Sequence, residues 1–185
     1  DCLFEDDQEE ESIEVLRALV AALPELGEGH ARLGLALRRP GKVQNQSEGY
    51  TCIKQALKLG QLSQELSAEV FLALGEMELR FKNNAGQAII NLRKCLKANP
   101  KEDALFAAKL ALADAFAANE DVEEAIEVYR ELTKPAFHKD GKVHPTVIVT
   151  LGLLEAEHGD KEEGFKTLRK YLVEDLSENA CRLYL

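Results

Sequence analysis

One spacing constrains this chain more than any other feature: a small residue, a large apolar residue four positions on, and a further small or apolar residue three after that. It recurs at Ser12, Leu16 and Leu19; at Gly49, Ile53 and Ala56; at Ala88, Leu92 and Cys95; at Ala125, Tyr129 and Leu132; and at Gly164, Leu168 and Tyr171. Steps of four and three keep all three side chains on one face of an α-helix. The opening position is always Ser, Gly or Ala, and a proline follows five residues after Leu19 and Cys95, at Pro24 and Pro100. Where one helix presents Gly or Ala, a neighbouring backbone can approach closely and a Leu, Ile or Tyr can fill the groove.

A second signature interleaves with the first, at Leu33-Gly34, Leu74-Gly75, Leu112-Ala113 and Leu151-Gly152. Between the two signatures stand Asn45, Asn84, Asp121 and Asp160, each four residues ahead of the small residue that opens the next motif. Asn and Asp cap helix N-termini because a side-chain oxygen accepts an otherwise orphaned N–H. Glu124 and Glu163, three residues after Asp121 and Asp160, approximate capping boxes. The unit is therefore a first helix, an Asx-capped turn and a second helix. One hairpin cannot bury both its faces, so such units stack. The predicted layout is a leading helix over 8–23 and hairpins over 25–60, 64–98, 102–134 and 144–173. A capping helix over 176–184 completes a single domain across 1–185.

Composition agrees. Apolar residues make up 45% and charged residues 30% of 185 residues, ordinary for a folded chain. Ala, Leu, Glu and Lys dominate and only five prolines occur, which favours helix over strand. No apolar run approaches the ~20 residues that cross a bilayer, so no membrane span is expected. A net charge of −10 disfavours nucleic acid, which needs concentrated Lys and Arg, and leaves room for a basic or apolar protein partner. The acidic run Glu5–Glu11 suits the positive end of a helix, or a docking tail for a basic partner. The chain opens on Asp1 rather than Met, as a fragment or a processed form would. Its compartment, cytoplasm or organelle interior, is left open.

Motifs for chemistry are missing. There is no Gly-rich phosphate loop, GxSxG elbow or HExxH. Cys2, Cys52, Cys95 and Cys181 are far apart and read as buried thiols, with a disulfide between distant ones still open. His138 and His144 flank Asp140 in a lysine-bearing stretch that reads as a solvated loop, and His158 before Gly159 suits the negative end of a helix. No catalytic residue, cofactor or metal site is expected.

The stretch Ala88 to Pro100, preceded by Leu74-Gly75, resembles the tetratricopeptide repeat family, whose hairpin carries Leu-Gly in its first helix and Ala-x3-Phe-x2-Ala-x4-Pro in its second. The resemblance covers nearly the whole chain. It departs from the family in spacing, because the first-helix signature recurs after 41, 38 and 39 residues rather than ~34. It departs too in having no Trp and only two closing prolines. The resemblance implies an all-α, right-handed α-solenoid of stacked antiparallel hairpins and a non-catalytic interaction module. It also implies a concave face lined three before, one after and four after the Leu-Gly glycine. Those positions are Ala31, Leu35 and Arg38; Leu72, Glu76 and Leu79; Leu110, Asp114 and Ala117; Val149, Leu153 and Ala156, with Glu69 one turn earlier. The family's Lys/Asn/Arg clamp for a C-terminal carboxylate is not found, so an apolar or basic helix or extended segment of a partner protein is the expected ligand.

Three further readings stay open. The chain's own Leu176–Leu185, or a neighbouring subunit of a larger assembly, could fill that face. The chain could be a regulatory segment of an enzyme, or an organellar assembly factor with its targeting peptide removed.

Overall fold

A computed structural model describes the backbone of residues 2–38, 43–137 and 143–174, and the side chains of 10–38, 45–137 and 143–170. Among the described residues there are nine α-helices and no strand. They are α1 (Cys2–Ala22), α2 (Gly27–Leu37), α3 (Val43–Leu59), α4 (Gln64–Arg80), α5 (Ala85–Lys97), α6 (Glu102–Ala118), α7 (Val122–Leu132), α8 (Pro145–His158) and α9 (Lys161–Glu174), with a 3-10 turn at Pro135–Phe137. No described helix is long and apolar enough to cross a membrane. The expected cap over 176–184, Cys181 and His138 lie outside the described residues, and the side chains of Cys2 and Tyr171 lie outside the described side chains.

Each expected helix that falls within the described residues is present, and two starts differ. Helix α1 begins at Cys2, so the run Glu5–Glu11 lies within its first half instead of straddling its start. Helix α3 begins at Val43, which puts Asn45 inside the helix and removes its expected capping role. Asn84 does cap α5, its Oδ1 accepting the N–H of Gln87 at 3.1 Å. Asp160 accepts from the N–H of Glu162 at 2.8 Å. Asp121 stands at the cap of α7 but makes no capping bond; it takes an N–H of the Asn119 amide at 2.8 Å, so the capping box with Glu124 does not form. Asn83 and Asn99 turn the chain after α4 and α5 with φ of 49° and 54°, a left-handed conformation that Asn tolerates better than most residues.

The glycines explain why the helices pair. A Cβ on Gly75 would sit 2.6 Å from Cγ of Leu92, one on Gly152 2.5 Å from Cγ of Leu168, and one on Gly34 2.6 Å from Cγ1 of Ile53. In these three hairpins the Leu-Gly glycine of the first helix meets the large apolar residue of the second-helix motif. Those contacts join α2 to α3, α4 to α5 and α8 to α9, three helix pairs in extensive contact. Leu92 and Ile53 are fully buried, each such side chain contributing roughly 1.5–3 kcal/mol.

The chain divides into two compact units, Asp1–Ala108 and Lys109–Leu185, with the division inside α6. The first unit has a core of Ala31, Ile53, Ala56, Leu66, Val70, Ala73, Leu74 and Met77, shared by α2, α3 and α4. Leading helix α1 adds Ile13, Leu16 and Val20 against Leu33, Leu37 and Cys52. Its Arg17 also reaches Glu48 of α3 with two hydrogen bonds, at 3.0 and 2.7 Å. In the second unit Ala113, Ala125, Tyr129, Leu132, Val147 and Leu151 are buried. Lys109 of α6 pairs with Glu131 of α7 and lies over the Phe137 ring at 5.3 Å.

Candidate interaction surface

Glu69, Leu72, Glu76 and Leu79 are spaced three, four and three apart on α4 and so form one stripe along that helix. Their exposure differs. Glu69 is exposed, Glu76 and Leu79 are half-buried, and Leu72 is only 8% exposed, which makes it a packing residue more than a contact. Next to the stripe, Arg38 at the end of α2 donates to Glu76 at 2.8 Å. Two expected site residues are thus brought together as an ion pair, and Glu76 is a partnered carboxylate. Leu35, one turn before Arg38, packs against the α2–α3–α4 core, and Ala31 is fully buried within it.

Glu69 also borders a shallow cleft of about 300 Å³ between the start of α4 and the α5–α6 link, lined further by Glu65, Asn99, Pro100, Lys101 and Ala104. Lys101 pairs there with Glu65. That carboxylate holds the ammonium pKa above its ordinary value.

In the second unit Leu110, Val149, Ala117 and Ala156 are half-buried, while Asp114 and Leu153 are exposed. Asp114 accepts a short hydrogen bond from the phenol of Tyr129, a residue expected only to pack. Burial, and then that carboxylate, push the phenol pKa well above its ordinary value. Of the cysteines, Cys52 and Cys95 are free and buried. Burial raises both thiol pKa values, Cys95 to about 11. No group of three or more His, Cys, Asp or Glu suited to a metal occurs among the described residues.

Two buried carboxylates were not foreseen. Glu78 is 5% exposed and accepts from the Tyr50 hydroxyl at 2.6 Å. Glu155 is 3% exposed and accepts from Arg130 Nε at 2.8 Å and from Thr167 Oγ1 at 2.8 Å. Both stand three residues after a Leu-Gly glycine, where α2 and α6 carry Leu37 and Phe116. A charged residue recurring at an otherwise apolar position was the available signal.

Compared with protein-family models and with curated proteins, the sequence matches none. Solved structures do match. A MamA RS-1 ArsTM double mutant aligns with a TM-score of 0.72 at 18% identity, covering 94% of this chain and 91% of that one. The crystal structure of a MamA protein aligns with a TM-score of 0.70 at 18% identity, covering 98% of this chain and 89% of that one. The fold is that of a TPR-like helical solenoid. At that identity the likeness speaks for the fold alone, and function must come from the surface.

Proposed function

We propose that this protein is a non-catalytic interaction module that binds an apolar or basic segment of a partner protein along the α4 stripe, as a scaffold or a subunit of a larger assembly. The observation that carries this reading is the stripe itself. An exposed carboxylate at Glu69, the Arg38–Glu76 pair and the half-buried Leu79 lie along one helix face, beside a cleft bordered by Glu65. A basic side chain can approach Glu69, and an apolar one can extend the contact over Leu79. The stacked-hairpin fold supports the reading by analogy, and the net charge of −10 favours a basic partner over nucleic acid.

The test is affinity capture with the full chain and with a Glu69→Arg, Leu79→Arg double variant whose helicity is unchanged by circular dichroism. A stoichiometric protein retained by the native chain and lost by the variant supports the α4 stripe. Retention by both moves the interface to another face, and capture of none by either removes the interaction-module reading. Leu72→Glu is unsuitable as a probe, because at 8% exposure it would injure the core.

A further inference from the structure

The cleft beside Glu69 already holds a cation, and the chain itself supplies it. Ala68, Pro100 and Ala104 line the cleft together with the carboxylates of Glu65 and Glu69. Gln64 Nε2 donates to the Ala98 carbonyl at 3.0 Å, which ties the start of α4 to the end of α5 and joins the two walls within the chain. A volume of about 300 Å³ lies at the small end of ligand pockets and suits one long side chain better than a cofactor. Glu65 and Glu69 stand one turn apart on α4, so both face the same side, and like charges at that spacing repel. Lys101 relieves the repulsion by pairing with Glu65. Glu65 is the main cause that holds the ammonium pKa up, and Glu69 adds to it through its charge alone.

The side chains of Lys101 and Glu65 are 77% and 56% exposed, so their pair is weak and open to exchange. Lys101 is nevertheless tethered beside its acceptor, at a high effective concentration. A lysine from a partner makes no better contact than Lys101 does and so has little to displace it with. A guanidinium differs, because its planar fork of five donors can bond two carboxylates at once, which a point-like ammonium does poorly. We propose that the cleft takes one arginine side chain of the partner, whose guanidinium bridges Glu65 and Glu69 in place of the Lys101 ammonium. Lys101 is then a built-in competitor that keeps weaker cations out. The proposal rests on the reading that a basic segment binds along the α4 stripe. It adds the residue that segment must carry and the contact it must break.

The test is an amide NMR titration of the full, isotope-labelled chain with three short peptides that differ at one residue. Each places leucine on both sides of a central arginine, lysine or citrulline, the last matching arginine in shape without its charge. The arginine peptide is expected to shift the amides of 64–69 and 99–104 and to bind about fivefold tighter than the lysine peptide, with the citrulline peptide inert. Lys101→Met should raise the affinity for arginine about threefold, the worth of an exposed ion pair. Lys97→Met, which removes the same charge from an exposed position on α5, should leave it unchanged. Equal affinity for arginine and lysine, no gain in Lys101→Met, or an equal gain in Lys97→Met would each overturn the inference. So would silence of the amides of 64–69 and 99–104 with all three peptides. The α4 reading is decided separately, by capture with the Glu69→Arg, Leu79→Arg variant, so either can fail while the outcome for the other is still read.

Discussion

Glu78 and Glu155 occupy one repeat position in two different hairpins, and each is gripped by the second helix of the hairpin before it. For Glu78 the grip is the neutral phenol of Tyr50 on α3, whose ring also carries the ammonium groups of Lys54 and Lys82 at 5.3 and 4.9 Å. For Glu155 it is the guanidinium of Arg130 on α7, joined by the Thr167 hydroxyl from its own hairpin. Thr167 stands three residues after Gly164, and the counterpart in the other hairpin is Asn91, three after Ala88. Asn91 is buried with its Nδ2 unpartnered. One architecture thus stacks hairpins through a buried acid in two ways, by a charged clasp and by a neutral one. The difference teaches that the repeat specifies where the acid sits and leaves its partner to local sequence.

Arg130→Ala should break the comparison most, since it leaves Glu155 buried without its cation. The loss expected is about 3 kcal/mol, the low end for a broken buried pair because the Arg130 side chain is 58% exposed. Urea denaturation followed by circular dichroism reads it, and a loss under 1 kcal/mol would mean that Thr167 alone suffices. Tyr50→Phe keeps the ring and its two lysines and removes only the donor to Glu78, so a loss of about 1–2 kcal/mol is expected in the same assay.

Packing probes the two hairpins in another way. Gly75→Ala presses on the fully buried Leu92, whereas Gly152→Ala presses on the half-buried Leu168 and on the backbone oxygen of Gly164 at 3.2 Å. Crowding costs roughly 1–3 kcal/mol against a helix-propensity gain of about 1 kcal/mol. Gly75→Ala and Gly152→Ala should therefore each destabilise by up to about 2 kcal/mol; a rise in thermal stability for either would refute the fit. Thr167→Val should cost about 1 kcal/mol, while Asn91→Leu, which removes a buried amide whose Nδ2 has no partner, should be nearly neutral.

The smallest effect is on acid sensitivity. Hydrogen bonds from Arg17 hold the Glu48 carboxyl below its ordinary value of 4.5, and the Lys109 ammonium does the same for Glu131. A depressed carboxylate contributes its stability above the unfolded value and loses it as pH falls through the folded one. Both carboxylates are more than a third exposed, so solvent screening limits each contribution to a few tenths of a kcal/mol. Stability measured from pH 6 downward should fall less steeply below about 4.5 in Arg17→Ala and Lys109→Ala than in the native chain. Parallel curves would show that these pairs add nothing.

Most of the helix layout was legible because two kinds of residue announce it. The Leu-Gly and second-helix signatures mark contacting faces, and each contact they imply at Gly34, Gly75 and Gly152 is present. Asn84 announced a real cap. Asn45 did not, because α3 starts ahead of it and helix packing outweighs the local preference of one side chain. The candidate surface was legible in part. Glu69 and Leu79 keep access to solvent, but Leu72 and Leu35 were assigned from a family position, and position alone does not reveal that α4 seals part of that face against the core. Glu78 and Glu155 escaped notice because a lone Glu among helical Glu residues reads as solvated, and only the approach of Tyr50 and Arg130 from a different hairpin shows otherwise.

The glycine contacts also bear on how quickly the chain can find its shape. Gly34 with Ile53, Gly75 with Leu92 and Gly152 with Leu168 are each joined across fewer than twenty residues, so the search that closes a hairpin is short and its loop entropy small. Low contact order of this kind goes with folding in microseconds to milliseconds. Any hairpin can serve as the nucleus on which its neighbours dock, and during synthesis the earliest can close while the rest of the chain is still being made.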